Sequence, residues 1–320
     1  MKFRTEIKSI PGGPKMDYDS NIVLFGSCFS EHIREKLSLY KFQHYSNPFG
    51  ILFNPVAIAT AIQRCADGQH YREGDLLEHG GLWLSLDHHS EFNNRDKSVI
   101  LDQINRRIEE AQQALLTASH VVVTLGTSWV YRWNKDGHVV GNCHKIPQKN
   151  FTKELLSPDD LLESLKAIVS AVRGINKNAS LIFTVSPVRH LKDGFVENSL
   201  SKGLLLAAIH ELKKEREDIH YFPSFEIVMD DLRDYRFYEK DLVHPNETAV
   251  DYIWEHFKNT WISPDSLDVM STVEQIQKSL DHRPFDPGSA AHQKFLDELD
   301  HRIATLTSRF PQIQFHKKRK

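Results

Sequence analysis

The feature that most constrains the fold is the junction between an apolar run and a helical pattern near residue 27. The run Ile22-Val23-Leu24-Phe25 suits a buried strand and leads into Gly26-Ser27, and the residues up to Tyr40 carry helical spacing without Pro or Gly. At such a turn, unpaired N–H groups at the amino end of a helix favour developing negative charge. Ser27 is therefore predicted either to cap this helix or to act as a nucleophile.

Further apolar runs alternate with helical patterns along the chain. The clearest buried strands are predicted at residues 120–125 and 181–185. Helices are predicted at residues 55–66, 100–117, 158–174 and 198–217. This alternation favours an α/β fold, a three-layer α/β/α sandwich with a mainly parallel sheet and right-handed crossovers. The G-x-S-x-G turn that marks α/β-hydrolases is absent from the sequence.

Composition excludes several classes of protein. Of 320 residues, 40% are hydrophobic and 26% are charged, and the net charge of −3 gives no reason to expect nucleic acid or membrane as a partner. No stretch approaches the roughly 18 apolar residues of a membrane span, and residues 1–7 lack a signal-peptide pattern. Cys28, Cys65 and Cys143 are too few for a disulfide framework. We expect a cytoplasmic protein with free thiols.

The carboxyl-terminal part of the chain, residues 263–320, is predicted to be a helical extension of the core. Residues 263–320 contain helical patterns at 266–280 and 290–308, and they end in the basic tail 316–320. We predict a core domain at residues 1–262 and a helical extension that packs either on this core or on a second subunit. An oligomer formed through these helices is one of the two alternatives.

A second motif lies at the end of the predicted core. Asp241 and His244 form an Asp-x-x-His pair on one loop, and Pro245 then begins a helix. This spacing lets the carboxylate hold the imidazole while the other ring nitrogen faces a serine. The alternative is a surface loop whose residues only cap a helix.

Polar residues also follow the predicted strands. Thr127, Ser128 and Trp129 come after the strand at 120–125, and Arg189 and His190 follow the strand at 181–185. Residues that leave the carboxyl ends of such strands face the crevice where open α/β sheets bind ligands. Thr127, Trp129, Arg189 and His190 are therefore candidate substrate-binding residues, although such side chains also serve to hold loops.

Two loops supply further candidates. The Asp136-Gly137 turn predicts a β-hairpin of residues 130–133 with 138–140, whose return strand would bring Asn142 and His144 over the site or only cover a sheet edge. Pro and Gly in the Asn47–Gly50 loop impose a non-helical backbone that can hold an N–H against a ligand, and Asn47 is a further candidate substrate-binding residue. The His pair within residues 87–91 points apart on a strand, so no metal site is predicted.

Together, Gly26-Ser27-Cys28-Phe29 and Asp241-x-x-His244-Pro245 resemble the GSCFA-domain family, a bacterial branch of the SGNH (GDSL-type) hydrolase superfamily. The name motif ends in Ala, where this chain has Ser30. The likeness covers about residues 3–262. It includes further stretches at 47–50, 125–129, 141–147, 185–190 and 234–238.

The resemblance implies a flavodoxin-like SGNH fold and an oxyanion hole. By analogy with the superfamily, the hole would comprise the N–H groups of Ser27 and Gly50 and the side chain of Ser128. Ser128 stands where the superfamily has an Asn, and a hydroxyl donates one hydrogen bond from a shorter arm. Thr127 or Asn142 is therefore an alternative third donor.

These expectations lead to a serine hydrolase acting on an ester, such as an esterase or deacetylase of an acylated carbohydrate or small metabolite. Ser27 would attack, His244 would act as base and Asp241 would orient it, with no metal or organic cofactor. Two alternatives keep an acyl-transfer reaction: an O-acyltransferase, and an enzyme whose nucleophile is Cys28. A third is a binding module on the same scaffold that has lost efficient catalysis.

Overall fold

The computed structural model describes residues 5–8 and 12–315. Its strands are β1 (Asn21–Gly26), β2 (Gln43–Ser46), β3 (Leu77–His79), β4 (Leu82–Leu84), β5 (His120–Leu125), β6 (Trp129–Trp133), β7 (Phe151–Leu155), β8 (Ser180–Val185) and β9 (Ile219–Phe222). Its helices are α1 (Cys28–Leu39), α2 (Pro55–Asp67), α3 (Lys97–Thr117), α4 (Pro158–Ile175), α5 (Phe195–Glu215), α6 (Ser224–Glu226), α7 (Glu247–Trp261), α8 (Leu267–Asp281) and α9 (Ala290–Arg309). A π-helical turn, Ile227–Leu232, continues α6.

The central sheet has five parallel strands in the order β2-β1-β5-β8-β9. Numbered among themselves, these strands read 2-1-3-4-5, which is the flavodoxin-like order. The strand order reverses between β1 and β5, and ligands of open α/β sheets bind beyond the carboxyl ends of strands at such a point. The junction after β1 and the polar residues after β5 therefore meet at the same edge.

Helices cover both faces of this sheet, which confirms the predicted three-layer α/β/α architecture. Alternate side chains of β1 point to opposite faces of the sheet, and both faces are apolar. Val23 and Phe25 pack in the apolar cluster beneath α2, α3, α4 and α5. Ile22 and Leu24 pack in the opposite cluster, which α1, α7 and α8 cover. Because both faces are buried, β5 and β8 are buried along their whole length and are mainly apolar rather than alternating.

Two small antiparallel ribbons lie outside the central sheet, and one of them extends a prediction. Residues 138–140 pair with β6 as the hairpin signal indicated, because Trp133 donates its N–H to the carbonyl of His138 and Val140 donates its N–H to the carbonyl of Tyr131, both over 2.9 Å. Gly137 closes the predicted turn by donating its N–H to the carbonyl of Trp133 over 2.8 Å. The strand β6 also pairs along its whole length with β7, which lies further along the chain.

The carboxyl-terminal helices pack on the core. Leu299 and Leu306 of α9, and Ile313 beyond it, are buried in the same apolar cluster as α1 and α7. The basic tail at residues 316–320 lies outside the described residues. Among the described helices, none combines the length and apolar character that a membrane span requires.

Candidate active site

The turn after β1 is fixed by backbone crowding. Gly26 has φ of 134°, and a Cβ atom there would lie 2.1 Å from the carbonyl oxygen of Thr124. Ser27 then donates its N–H to that same oxygen over 3.1 Å. Its side chain is fully buried, and its Oγ has no hydrogen-bond partner within the described residues. Ser27 is the N-cap residue of α1, but its side chain makes no capping hydrogen bond.

Cys28, the first residue of α1, is the nucleophile-type side chain that this turn leaves partly exposed. Burial raises the pKa of its thiol, while the Lys202 ammonium and the N–H groups of Cys28 and Phe29 act in the opposite direction. N–H groups in the first helical turn have no acceptor within the helix. The amino end of α1 therefore offers donors at Cys28 and Phe29 rather than at Ser27.

Asp241 and His244 form the predicted pair. Asp241 Oδ2 lies 2.7 Å from His244 Nδ1, and its Oδ1 accepts the N–H groups of Val243 at 2.9 Å and His244 at 3.0 Å. These three hydrogen bonds, that from the imidazole first, lower the pKa of Asp241 to about 2. The carboxylate thus stays ionised and fixes the ring, leaving Nε2 as the nitrogen that can take a proton.

The loop carrying His244 lies against α1 and against the segment after β8. Arg189 donates its N–H to the carbonyl of Val243 over 3.2 Å. Burial lowers the pKa of His32, one turn after Cys28 on α1, and His244 contributes to lowering it. Cys28 and His32 are four residues apart and share a helix face. Neither Ser27 Oγ nor Cys28 Sγ is hydrogen-bonded to His244 within the described residues.

A cavity of about 360 Å³ joins the segments after β5 and β8 to the loop before the β7 ribbon strand. Its lining includes four predicted substrate-binding residues, Thr127, Trp129, Asn142 and His190. The buried ring nitrogens Trp129 Nε1 and His190 Nε2 have no partner among the described residues. Burial lowers the pKa of His190 to about 3, helped by Lys202 and His244, so His190 is neutral at physiological pH.

Comparison with known families places the chain in a group of proteins. A family model described as the GSCFA family matches residues 21–257, which is most of the chain. The chain belongs to the GSCFA family. A second model, described as the C-terminal domain of GSCFA domain proteins, matches residues 273–320. The predicted domain boundary after residue 262 lies in the interval that neither model matches. A search among curated proteins found no match.

The three groups predicted as oxyanion donors of this GSCFA-family chain each make a hydrogen bond within the protein. The N–H of Ser27 donates to Thr124, and that of Gly50 donates to the carbonyl of Asn47 over 2.8 Å. Ser128 is fully buried, and its hydroxyl donates to the carbonyl of Ser201 over 2.8 Å. The acceptors of Ser27 and Ser128 lie on distant segments that motif spacing does not encode, whereas the acceptor of Gly50 lies within the same turn.

Three predicted substrate-binding residues of this GSCFA-family chain lie outside that cavity and hold loops. Asn47 accepts the N–H of Gly26 over 2.9 Å. His144 is buried, with its Nε2 2.8 Å from the carbonyl oxygen of Ser85. Arg189 places its guanidinium 4.1 Å from the ring centroid of Tyr238 and donates to the carbonyl of Leu242 over 3.3 Å. These contacts fix the backbone around the site.

Sequence reasoning missed Lys202, which lies beneath the site on α5. Its ammonium is fully buried and donates to the carbonyls of Gly126 at 2.6 Å and Ser186 at 2.7 Å. A usable signal exists, because Lys202 falls on the buried face that Asn198, Leu205 and Ile209 define at helical spacing. A lysine on such a face of a GSCFA-family helix indicates a buried charge.

The histidines near residue 88 have a packing role. His88 is fully buried, its ring stacks on Phe49 with centroids 4.1 Å apart, and its Nδ1 lies 2.8 Å from Ser85 Oγ. Across the described residues, no group of three or more His, Cys, Asp and Glu side chains is placed to hold a metal ion.

Proposed function

We propose that this GSCFA-family protein hydrolyses an acyl ester, with Cys28 as nucleophile and the Asp241–His244 pair as its base. The observation that carries the proposal is that pair: a 2.7 Å contact fixes Nδ1, so Nε2 is left to accept a proton beside α1. A residue that merely capped a helix would need no imidazole oriented by an ionised carboxylate.

The choice of Cys28 over Ser27 rests on access and on the surrounding donors. Ser27 is fully buried and its N–H is committed to Thr124, whereas Cys28 is partly exposed at the first turn of α1. The N–H groups of Cys28 and Phe29 could stabilise an oxyanion at this helix end. We therefore propose the thiol of Cys28 as the nucleophile, and Ser27 stays the alternative.

The proposed reaction proceeds in two steps. His244 Nε2 takes the proton of Cys28 as Sγ bonds to the acyl carbon, and collapse of the tetrahedral intermediate breaks the ester C–O bond. The protonated imidazole then gives its proton to the departing alcohol, leaving a thioester. Water, deprotonated by His244, attacks the thioester and releases the carboxylic acid and the thiol. An alcohol in place of that water would make the enzyme an O-acyltransferase.

The cavity that His190 lines, whose lining includes neither Cys28 nor His244, favours a small acylated substrate. Its volume is about 360 Å³, and Trp129 and Tyr131 line it beside the polar groups of Thr127 and Asn142. Aromatic rings next to hydrogen-bonding side chains suit a carbohydrate or a small metabolite carrying a short acyl group. Membership of the SGNH superfamily, which the family motif suggests, is part of this proposal.

The test is turnover of p-nitrophenyl acetate by the full chain and four variants. We expect Cys28→Ala to lower kcat/KM by about 10³-fold or more, because it removes the nucleophile, and His244→Gln to cause a comparable loss. Ser27→Ala should retain activity and stability, since it removes a buried hydroxyl that has no partner within the described residues. Cys65→Ala, which removes the buried thiol of α2, is the thiol control.

Two outcomes would contradict the proposal. Loss of turnover in Ser27→Ala with retention in Cys28→Ala would return the nucleophile to the serine. Absence of turnover in the folded wild-type chain, together with saturable binding of acylated sugars, would favour the binding module, which the engaged oxyanion donors at Gly50 and Ser128 would then explain.

A further inference from the structure

Two lysines line the cavity of about 360 Å³ beside the candidate site, and both lie over its aromatic rings. Lys153 Nζ is 4.7 Å from the ring centroid of Trp129 and 5.6 Å from that of Tyr131. Lys192 Nζ is 5.5 Å from the ring centroid of Tyr131 and donates to its hydroxyl over 3.3 Å. An ammonium group thus lies over each ring, on a face where a neutral sugar would otherwise stack.

The charges around this cavity do not cancel. Among its described lining residues Asp193 is the one carboxylate, and it forms an ion pair with Lys153. No Asp or Glu within the described part of the chain pairs with Lys192. His190 is neutral near pH 7, because burial lowers its pKa to about 3, and it adds no charge. One positive charge at the cavity wall is therefore left without a counter-charge.

The polar side chains of the cavity offer hydrogen-bond donors more than acceptors. The Oγ1 of Thr127 already accepts the N–H of Trp129 over 3.1 Å, and the Oδ1 of Asn142 accepts the N–H of His144 over 2.8 Å. In contrast, the buried Nε1–H of Trp129 has no acceptor among the described residues. Lys192 donates to one side chain and has three ammonium N–H groups. A ligand with several acceptor oxygens would satisfy these donors.

We propose that this cavity binds an oxyanion, a carboxylate or a phosphate, on the alcohol portion of the acylated substrate, and that Lys192 selects for it, an inference that rests on the proposed ester hydrolysis. A cavity of this volume accommodates a sugar ring with its substituents, whereas a short acyl group would fill only a small part of it. The substrate class is thus an acylated carbohydrate or small metabolite that is also an anion.

The cavity adjoins the loop of the proposed base. Arg189 donates its N–H to the carbonyl of Val243 over 3.2 Å. These two residues directly precede His190, which lines the cavity, and His244. Because the lining contains neither the proposed nucleophile nor the base, an anionic group held there would determine which esters are accepted and take no part in the exchange of bonds.

Cys143 can report on occupation of the cavity, because its half-buried thiol belongs to the lining. The experiment measures the rate of its alkylation by iodoacetamide in the full chain at about pH 8.5, with peptide mapping that separates it from Cys28 and Cys65. Glucuronate, glucose 6-phosphate and glucose are titrated at constant ionic strength. They present a carboxylate, a phosphate and a neutral group on the same kind of ring.

We expect at least one of the two anionic sugars to slow alkylation of Cys143 about tenfold at saturation, because it covers the thiol. Its half-protecting concentration should be about tenfold or more below that of glucose, since the uncompensated charge of Lys192 attracts it. The sugar that protects at the lower concentration assigns the oxyanion as carboxylate or phosphate.

Variants attribute this protection to particular groups. Lys192→Met removes an exposed charge and should raise the half-protecting concentration of the anionic sugar about tenfold, to near that of glucose. Trp129→Phe keeps an aromatic ring without the N–H and should raise it about threefold or more. Lys192→Arg keeps the charge and should stay within about threefold of the wild type. Lys214→Met, which replaces an exposed lysine that pairs with Glu211 on α5, is the matched control and should change nothing.

Equal half-protecting concentrations for the three sugars, or no protection by either anionic sugar, would overturn the inference, and so would unchanged protection in Lys192→Met. Alkylation of Cys143 requires no turnover, so this experiment is separate from the test of the proposed function. Protection by an anionic sugar in a chain that hydrolyses no ester would refute the hydrolase proposal and leave the anion site intact. Ester turnover without such protection would refute the anion site alone.

Discussion

Replacement of Asn47 by alanine would separate a structural from a substrate-binding role of this loop. The Asn47 amide accepts the N–H of Gly26 at 2.9 Å and donates to Ser30 Oγ at 2.9 Å and Glu31 Oε1 at 2.5 Å. Its φ of 43° is a left-handed conformation, which Asn adopts more readily than alanine. One side chain thus connects the end of β1, the first turn of α1 and the loop after β2.

The magnitude follows from these contacts. Leaving the buried Gly26 N–H without an acceptor costs about 1–3 kcal/mol, and the two donated hydrogen bonds contribute about 1 kcal/mol each. Alanine at positive φ adds about 1 kcal/mol. Glu31 keeps its ion pair with Arg34 at 2.5 Å, so no further charge is left unpaired. We expect Asn47→Ala to lower the free energy of unfolding by about 4–6 kcal/mol.

Urea denaturation monitored by circular dichroism measures this loss of unfolding free energy. Asn47→Gly is the matched variant. Glycine removes the same hydrogen bonds but tolerates positive φ, so it should be about 1 kcal/mol more stable than the alanine variant. A loss under about 1 kcal/mol in Asn47→Ala, with KM raised and kcat unchanged, would refute the structural role and support the substrate contact that the sequence suggested.

Three further predictions test other parts of the structure. Ser128→Ala should destabilise the fold by about 1–2 kcal/mol through its lost bond to Ser201 and leave kcat within a few-fold in ester assays; a 10²-fold fall would mark an oxyanion donor. Leu299→Ala, 3% exposed on α9, should cost about 2–4 kcal/mol within one urea transition; two separate transitions would show that the extension does not share the core. Burial lowers the pKa of Lys202 from 10.5 to about 7, so the unfolded chain binds the extra proton between these values. The free energy of unfolding of the wild type, measured against Lys202→Met, should therefore rise by about 2 kcal/mol from pH 7 to pH 9, and a fall would contradict the burial of that charge.

The sheet and the Asp241–His244 pair could be predicted because their signals are local. The strands β1 and β5 are continuous apolar runs, which only a sheet covered on both faces buries. The Asp-x-x-His spacing fits one loop, so its hydrogen bond needs no knowledge of the rest of the fold. Neighbouring segments of the chain thus determine these parts of the molecule.

The remaining features depend on contacts between distant segments. The position at which α1 begins relative to Thr124 determines whether the side chain of Ser27 or that of Cys28 is accessible. Hydrophobic periodicity does not resolve a helix start to one residue. The hydroxyl of Ser128 donates to the carbonyl of Ser201 on α5, and β6 has a second partner strand, β7, that lies beyond the predicted hairpin. Packing of the layers against one another determines these hydrogen-bond and strand partners, and motif spacing does not encode it.

The most direct test of the central claim is to trap the acyl-enzyme. The wild-type chain is mixed with one equivalent of p-nitrophenyl acetate, quenched in acid within seconds, and analysed by intact mass and peptide mapping. The account predicts a single acetyl group on Cys28, absent from Cys28→Ala and still formed in Ser27→Ala. An acetyl group on Ser27, or none on a chain that releases p-nitrophenol catalytically, would contradict the account.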